Sequence, residues 1–138
     1  MYTLKIEKNK NLGLLLLRCT ISILILFHGI ANMNSNYAFI KGLLEGVGIP
    51  SFLAYGVFIG EIIAPILIIL GFRARLASLA LAFSLFIAIL LAHSSDVFSL
   101  NQFGGWGIEL PALYLFGATT IFFTGAGKYV LSTNSNWD

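Results

Sequence analysis

Four apolar stretches, residues 12–33, 51–70, 74–93 and 108–124, each approach the length that crosses a lipid bilayer. A hydrocarbon core about 30 Å thick needs roughly 20 helical residues at about 1.5 Å each. Little of the 138-residue chain remains for a soluble body. Charged residues make up only 10% of the chain and the mean hydropathy is +0.91, whereas a soluble domain carries about 25% charge. The expected fold class is therefore an all-α membrane protein. Its four transmembrane helices form an antiparallel bundle, with a short interfacial helix between spans one and two. The expected organisation is an N-terminal segment 1–11, a transmembrane domain 12–124 and a tail 125–138.

A net charge of +2 with scattered basic residues leaves no footprint for nucleic acid. The single cysteine, Cys19, cannot form an intramolecular disulfide and reads as a small packing residue inside span one. Lys5, Lys8 and Lys10 followed by an apolar run imitate a secretory signal. The run is too long for one and carries Arg18, so an uncleaved first helix is expected.

Basic residues in short loops mark the cytoplasmic face. Lys5, Lys8, Lys10, Arg73, Arg75 and Lys128 fall on one side of a four-span chain, and only Lys41 on the other. Both termini are thus expected in the cytoplasm. In the first outer loop, Tyr37, Ile40, Leu43, Leu44 and Val47 share one helical face opposite Lys41 and Glu45, the pattern of a helix lying in the interface. In the second, Trp106 reads as an interfacial anchor beside glycines that permit a tight re-entry. Small residues at four-residue spacing, Gly56, Gly60 and Ala64 in span two and Ala74, Ser78 and Ala82 in span three, predict close helix approach, and homodimerisation is open to such a bundle.

Ionisable groups at bilayer depth are costly and turn towards the protein interior. Rise per residue places Arg18 about 9 Å and Glu61 about 15 Å from the cytoplasmic ends, which predicts an ion pair. Pro65, four residues after Glu61, cannot donate to the Glu61 carbonyl, so a kink and a polar notch are expected there. His28, His93 and Glu109 fall about 23–28 Å in and form a second expected group. They suit hydrogen bonding or a quinone carbonyl; metal ligation is weakly signalled, because no pair has helical ligand spacing. Asp96 reads as solvated.

The ordered set of Arg18, His28-Gly29, Glu61, the Gly71-Phe72-Arg73-Ala74-Arg75 turn, Gly107-Ile108-Glu109-Leu110 and Gly125-Ala126-Gly127-Lys128-Tyr129 resembles the DoxX family of bacterial inner-membrane proteins. Many members carry lysine where Asn32 stands and proline where Ala126 stands. The resemblance implies a multi-pass protein of the bacterial inner membrane, associated with membrane oxidoreductase systems, with Arg18, His28, Glu61, Glu109 and more loosely His93 as ligand-binding candidates. The leading expectation is a membrane subunit or accessory protein of a quinone-linked redox system. It has no intrinsic cofactor, so a redox partner protein supplies one, since cysteines and phosphate-cradling loops are lacking. The competing expectations are a small proton-coupled transporter or channel working at Glu61, and a non-catalytic assembly protein.

Overall fold

The computed structural model describes residues 9–138. Lys5 and Lys8, and with them most of the basic N-terminal segment, lie outside the described residues. Helix α1 runs Lys10–Asn34. It starts where the Asn9 side chain accepts from the Leu12 amide at 3.0 Å, a partner for one of the donors that a helix start leaves unpaired. It ends in a tight turn that holds Asn36 and Tyr37 at φ of 51° and 57°. Helix α2, Ala38–Gly46, follows at once.

The next stretch, Ser51–Leu70, is helical throughout but changes winding twice. A 3₁₀ segment covers Ser51–Gly56, a π segment Ile59–Ile63, and α3 covers Ala64–Leu70. Pro65 is the cause of the second change. It has no N–H to return to Glu61, and the preceding turn widens so that the Ala64 amide bonds the Ile59 carbonyl. The expected kink thus takes the form of a π turn centred on Glu61. Gly71, at φ +69°, closes α3 in the left-handed conformation, and α4 runs Ala74–Ala92. A short 3₁₀ turn, Ser94–Asp96, and a loop lead to α5, Glu109–Thr124.

Three helical stretches, Lys10–Asn34, Ser51–Leu70 and Ala74–Ala92, are long and apolar enough to cross a membrane. The expected fourth span is helical but only 16 residues long. No strand occurs among the described residues; Leu100 and Trp106 make an isolated bridge.

Helix α1 packs on α3, the π segment and α5, and α4 packs on the same π segment, on α3 and most extensively on α5. Ile21, Ile25, Ile68, Leu81, Tyr114 and Ile121 fill the space between them. Glycine sets the closest approaches. A methyl group at Gly60 would lie 2.5 Å from Ser84 Cβ, and one at Gly117 would strike Ile21. Gly56 does not take the packing role its spacing predicts: it is exposed, with no neighbour that an added Cβ would meet. The 3₁₀ winding at Ser51–Gly56 puts it out of phase with Gly60 and Ala64.

Large apolar side chains also cover the outside. Phe27, Phe83 and Phe116 are 67%, 66% and 64% exposed, on α1, α4 and α5 respectively. Water does not tolerate so continuous an apolar surface on a monomer. The protein is a multi-pass membrane protein.

The last fourteen residues fold back over one end of the helices. The Leu131 amide donates to Leu70 O, the Lys128 amide to Asn11 Oδ1 and the Arg75 amide to Trp137 O. Arg75 Nε donates to Phe122 O at 2.8 Å in the last turn of α5, where a cation suits the helix dipole. The Asp138 carboxylate accepts from the Arg73 amide at 2.8 Å, the Ser135 amide and the Ser132 hydroxyl. Partial desolvation opposes these bonds, but together with the Arg73 charge they hold the carboxyl below its ordinary value of 3.8. A depressed carboxyl favours the docked tail fully above that ordinary value and ceases to do so as pH falls through the lower, docked one. We expect Trp137 fluorescence to be constant from pH 7 to about 4 and to change below it. In Asp138→Asn the low-pH spectrum should already appear at pH 7.

Candidate functional site

A cavity of about 740 Å³ opens between α1, α2, the Ser51–Leu70 stretch, α4 and the first half of α5. Its wall is mostly apolar, with Phe39, Leu43, Leu53, Phe83 and Leu91 among the lining residues, and the small residues Gly56, Gly60, Ala80, Ala88 and Ala92 leave the space. Ligand sites commonly enclose about 300–1,000 Å³ with a few polar groups gathered at one place. Here the polar lining residues are His28, Asn32, Glu61, Ser84 and Tyr114, and His93 lines the same cavity nine positions beyond Ser84, at the end of α4.

Glu61 is the centre of this set. The π turn carries its side chain towards α1, where Asn32 Nδ2 donates to Glu61 Oε2 at 2.7 Å. Gly29 makes the approach feasible. A Cβ there would lie 2.5 Å from the Glu61 carbonyl oxygen and 2.7 Å from Ile62 Cδ1. His28 and Asn32 are four residues apart on one face of α1, so both reach the same cavity. The His28 ring meets Tyr114 of α5 edge to face, 6.3 Å between centroids. Tyr37 is buried beneath α2 with its hydroxyl unpartnered, and burial, followed by the charge of Glu61, pushes its ionisation above the ordinary phenol range. Because the Glu61 carbonyl is backbone and cannot yield cheaply, Gly29→Val should displace the π turn. The expected cost is about 1–3 kcal/mol, read as a lower melting temperature in detergent.

The expected ion pair between Arg18 and Glu61 does not form. Arg18 Nη1 donates to Ile68 O at 3.3 Å and Nη2 to Tyr129 O, and the guanidinium lies against Gly71. Side chains on a helix lean towards its N-terminus, so the arginine stem runs away from Glu61 and down to the turn between α3 and α4. Asn32, the residue that does reach Glu61, stands fourteen positions further along α1. Arg18 is therefore a structural clamp remote from the cavity: it ties α1 to the end of α3 and to the tail.

The expected cluster of His28, His93 and Glu109 is also divided. Glu109 Oε1 accepts from Asn101 Nδ2 at 3.1 Å within the loop before α5. His93 lines the cavity while its Nδ1 faces Asp96 Oδ2 at 3.3 Å, within hydrogen-bond distance. Asp96 is half exposed, as expected of a solvated group. His28 is exposed at the cavity's side rather than buried, because its neighbour Gly29 takes the inward position on α1. No group of three metal-ligating side chains occurs among the described residues. Asn32 and Tyr114 were not singled out as site residues by the sequence; the signal available was the four-residue spacing of His28 and Asn32.

No curated protein and no solved structure matches the chain. The family model described as DoxX matches residues 13–94, from the first turn of α1 to just past the end of α4, and the chain accordingly belongs to the DoxX family.

Proposed function

We propose that this protein is a membrane subunit or accessory protein of a quinone-linked redox system, and that the cavity takes the quinone head-group. In this reading the three long helical stretches and α5 all cross a bacterial inner membrane as a four-span bundle. Both termini are cytoplasmic, on the evidence of Lys10, Arg73, Arg75 and Lys128, and α2 lies in the opposite interface.

One observation carries the proposal: a carboxylate held by Asn32 stands at the polar side of an otherwise apolar cavity inside a membrane protein. A quinone suits such a site because its ring and tail are apolar and its two oxygens need hydrogen-bond partners. The ring would lie among Leu53, Phe83 and Leu91, with His28 and Ser84 as donors to a quinone carbonyl and the Glu61 carboxylate as acceptor for the hydroxyl of the reduced, quinol form. When bound, a quinone supplies a mobile carrier of electrons and protons within the bilayer. The chain's contribution is to orient it: Asn32 fixes the Glu61 carboxylate, Tyr114 fixes the His28 ring, and the apolar wall excludes water.

The test is equilibrium binding of a short-tailed quinone to the purified protein in nanodiscs. Saturable binding that is lost in Ala88→Trp, which fills the cavity, is the expected result. No binding to the wild-type protein would overturn the proposal. Ion flux in liposomes that is lost in Glu61→Gln would then favour the transporter reading. Co-purification of an oxidoreductase without ligand binding would favour an assembly role.

A further inference from the structure

Helix α5 has 16 residues and is about 24 Å long, roughly one turn short of a 30 Å hydrocarbon core. Something other than helix must therefore occupy the remaining depth if α5 crosses. The loop that enters α5 has the composition for it. Between Val97 and Ile108 there is no charged residue, and Phe98, Leu100 and Phe103 are 99%, 74% and 87% exposed. Exposed apolar residues flank it on both sides, Phe86 and Leu90 on α4 and Leu110 and Leu113 on α5, so the loop continues the outer apolar surface of the helices.

Irregular backbone is excluded from lipid unless its polar groups are satisfied internally. This loop largely meets that condition. The Asn101 side-chain oxygen accepts from the backbone amides of Phe103 at 3.0 Å and Gly105 at 2.9 Å, while the Asn101 backbone amide donates to Gly105 O at 2.7 Å. The amides of Ser99, Gly104, Gly107 and Glu109 bond Asp96 O, Asn101 O, Ser99 O and Trp106 O. Trp106 Nε1 donates to Val97 O at 2.6 Å, so the indole does not depend on water for its partner. Glu109 is drawn into the same network: Asn101 Nδ2 binds it, and Gly105 leaves room for its carboxylate.

We propose that the loop from Val97 to Trp106 is a lipid-inserted element. It lies in the interfacial region of the leaflet at the α4–α5 end, with Phe98, Leu100 and Phe103 among the acyl chains, and Asn101 is its positioning residue. The inference rests on α5 crossing the membrane, and the experiment separates the two. In a Cys19→Ser background, single cysteines at Phe98, Phe103 and, as reference, Phe116 in mid-α5 are labelled with an environment-sensitive fluorophore. The protein is placed in nanodiscs whose lipids carry bromine at shallow or deep chain positions. The expected result is at least twofold quenching of both loop labels by shallow bromine, little quenching by aqueous iodide, and quenching of the Phe116 label by deep bromine. Unlabelled Trp106, read in a Trp137→Phe protein, should respond as the loop labels do. Loop labels and Trp106 open to iodide and insensitive to bromolipid, with the Phe116 label still quenched, would overturn the insertion and leave the α5 span standing. Failure of the Phe116 label as well would overturn both.

Discussion

Arg18→Ala is expected to lower stability by about 3 kcal/mol, roughly 10 °C in melting temperature in detergent, and to release the C-terminal tail. Arg18 is 2% exposed and donates to two backbone oxygens, Ile68 O in the last turn of α3 and Tyr129 O in the tail. Hydrogen bonds from a charged donor contribute about 1.5–3 kcal/mol each. Part of that is offset because the cost of burying the guanidinium disappears with it. Loss of the side chain strands no charge, since no carboxylate lies in ion-pair reach among the described residues. Ile68 O retains the Gly71 amide as a partner at 3.2 Å. The damage should therefore concentrate at Tyr129 and appear as faster proteolysis of residues 125–138 and a red shift of Trp137. Arg18→Lys should recover only part of the loss, because one ammonium on a single stem does not reproduce a fork aimed at two carbonyls. A tail that stays protected in Arg18→Ala would show that the clamp is unimportant.

The second large effect falls on the cavity. Glu61→Gln should weaken binding of the reduced, quinol form by about tenfold to a hundredfold, because the quinol hydroxyl loses a hydrogen bond to a charged acceptor. Melting should hardly change. The glutamine amide keeps the size of the carboxylate and can still accept from Asn32 Nδ2, so the contact between α1 and the π turn survives. Binding and stability are thereby read apart: Gly29→Val is expected to move both, Glu61→Gln only the first. Equal affinity in wild type and Glu61→Gln would remove Glu61 from the site, and with it the observation on which the functional proposal stands.

The positions of the long helices were legible because each follows from a local rule. A run of twenty apolar residues must satisfy its backbone internally, and Gly48 and Pro50 end the short interfacial helix before the second such run begins. Pro65 announced a break at Glu61 for an equally local reason. The partners of the polar side chains were not legible in the same way. Rise per residue gives a height for each Cα but says nothing of the direction a long stem takes, and the Arg18 stem leans towards the end opposite Glu61. Nor does it register a change of winding: the 3₁₀ and π turns rotate Gly56 and Glu61 away from the faces a regular helix would give them. Glu109 misled because its chain position suggested a shared cluster, whereas Asn101, eight residues earlier, captures it locally.

Sequence alone determined that the chain is a helical membrane protein with a handful of polar groups it cannot place in lipid, because hydrophobicity and proline chemistry act over neighbouring residues. Which of those groups meet was decided only by the tertiary structure. Gly29 admits the Glu61 carbonyl to the surface of α1 and brings the carboxylate to Asn32, while Gly71 admits Arg18 to the tail. Both outcomes depend on the room that a missing Cβ leaves for a group from another segment, and which segment lies there is set by packing between parts far apart in the chain.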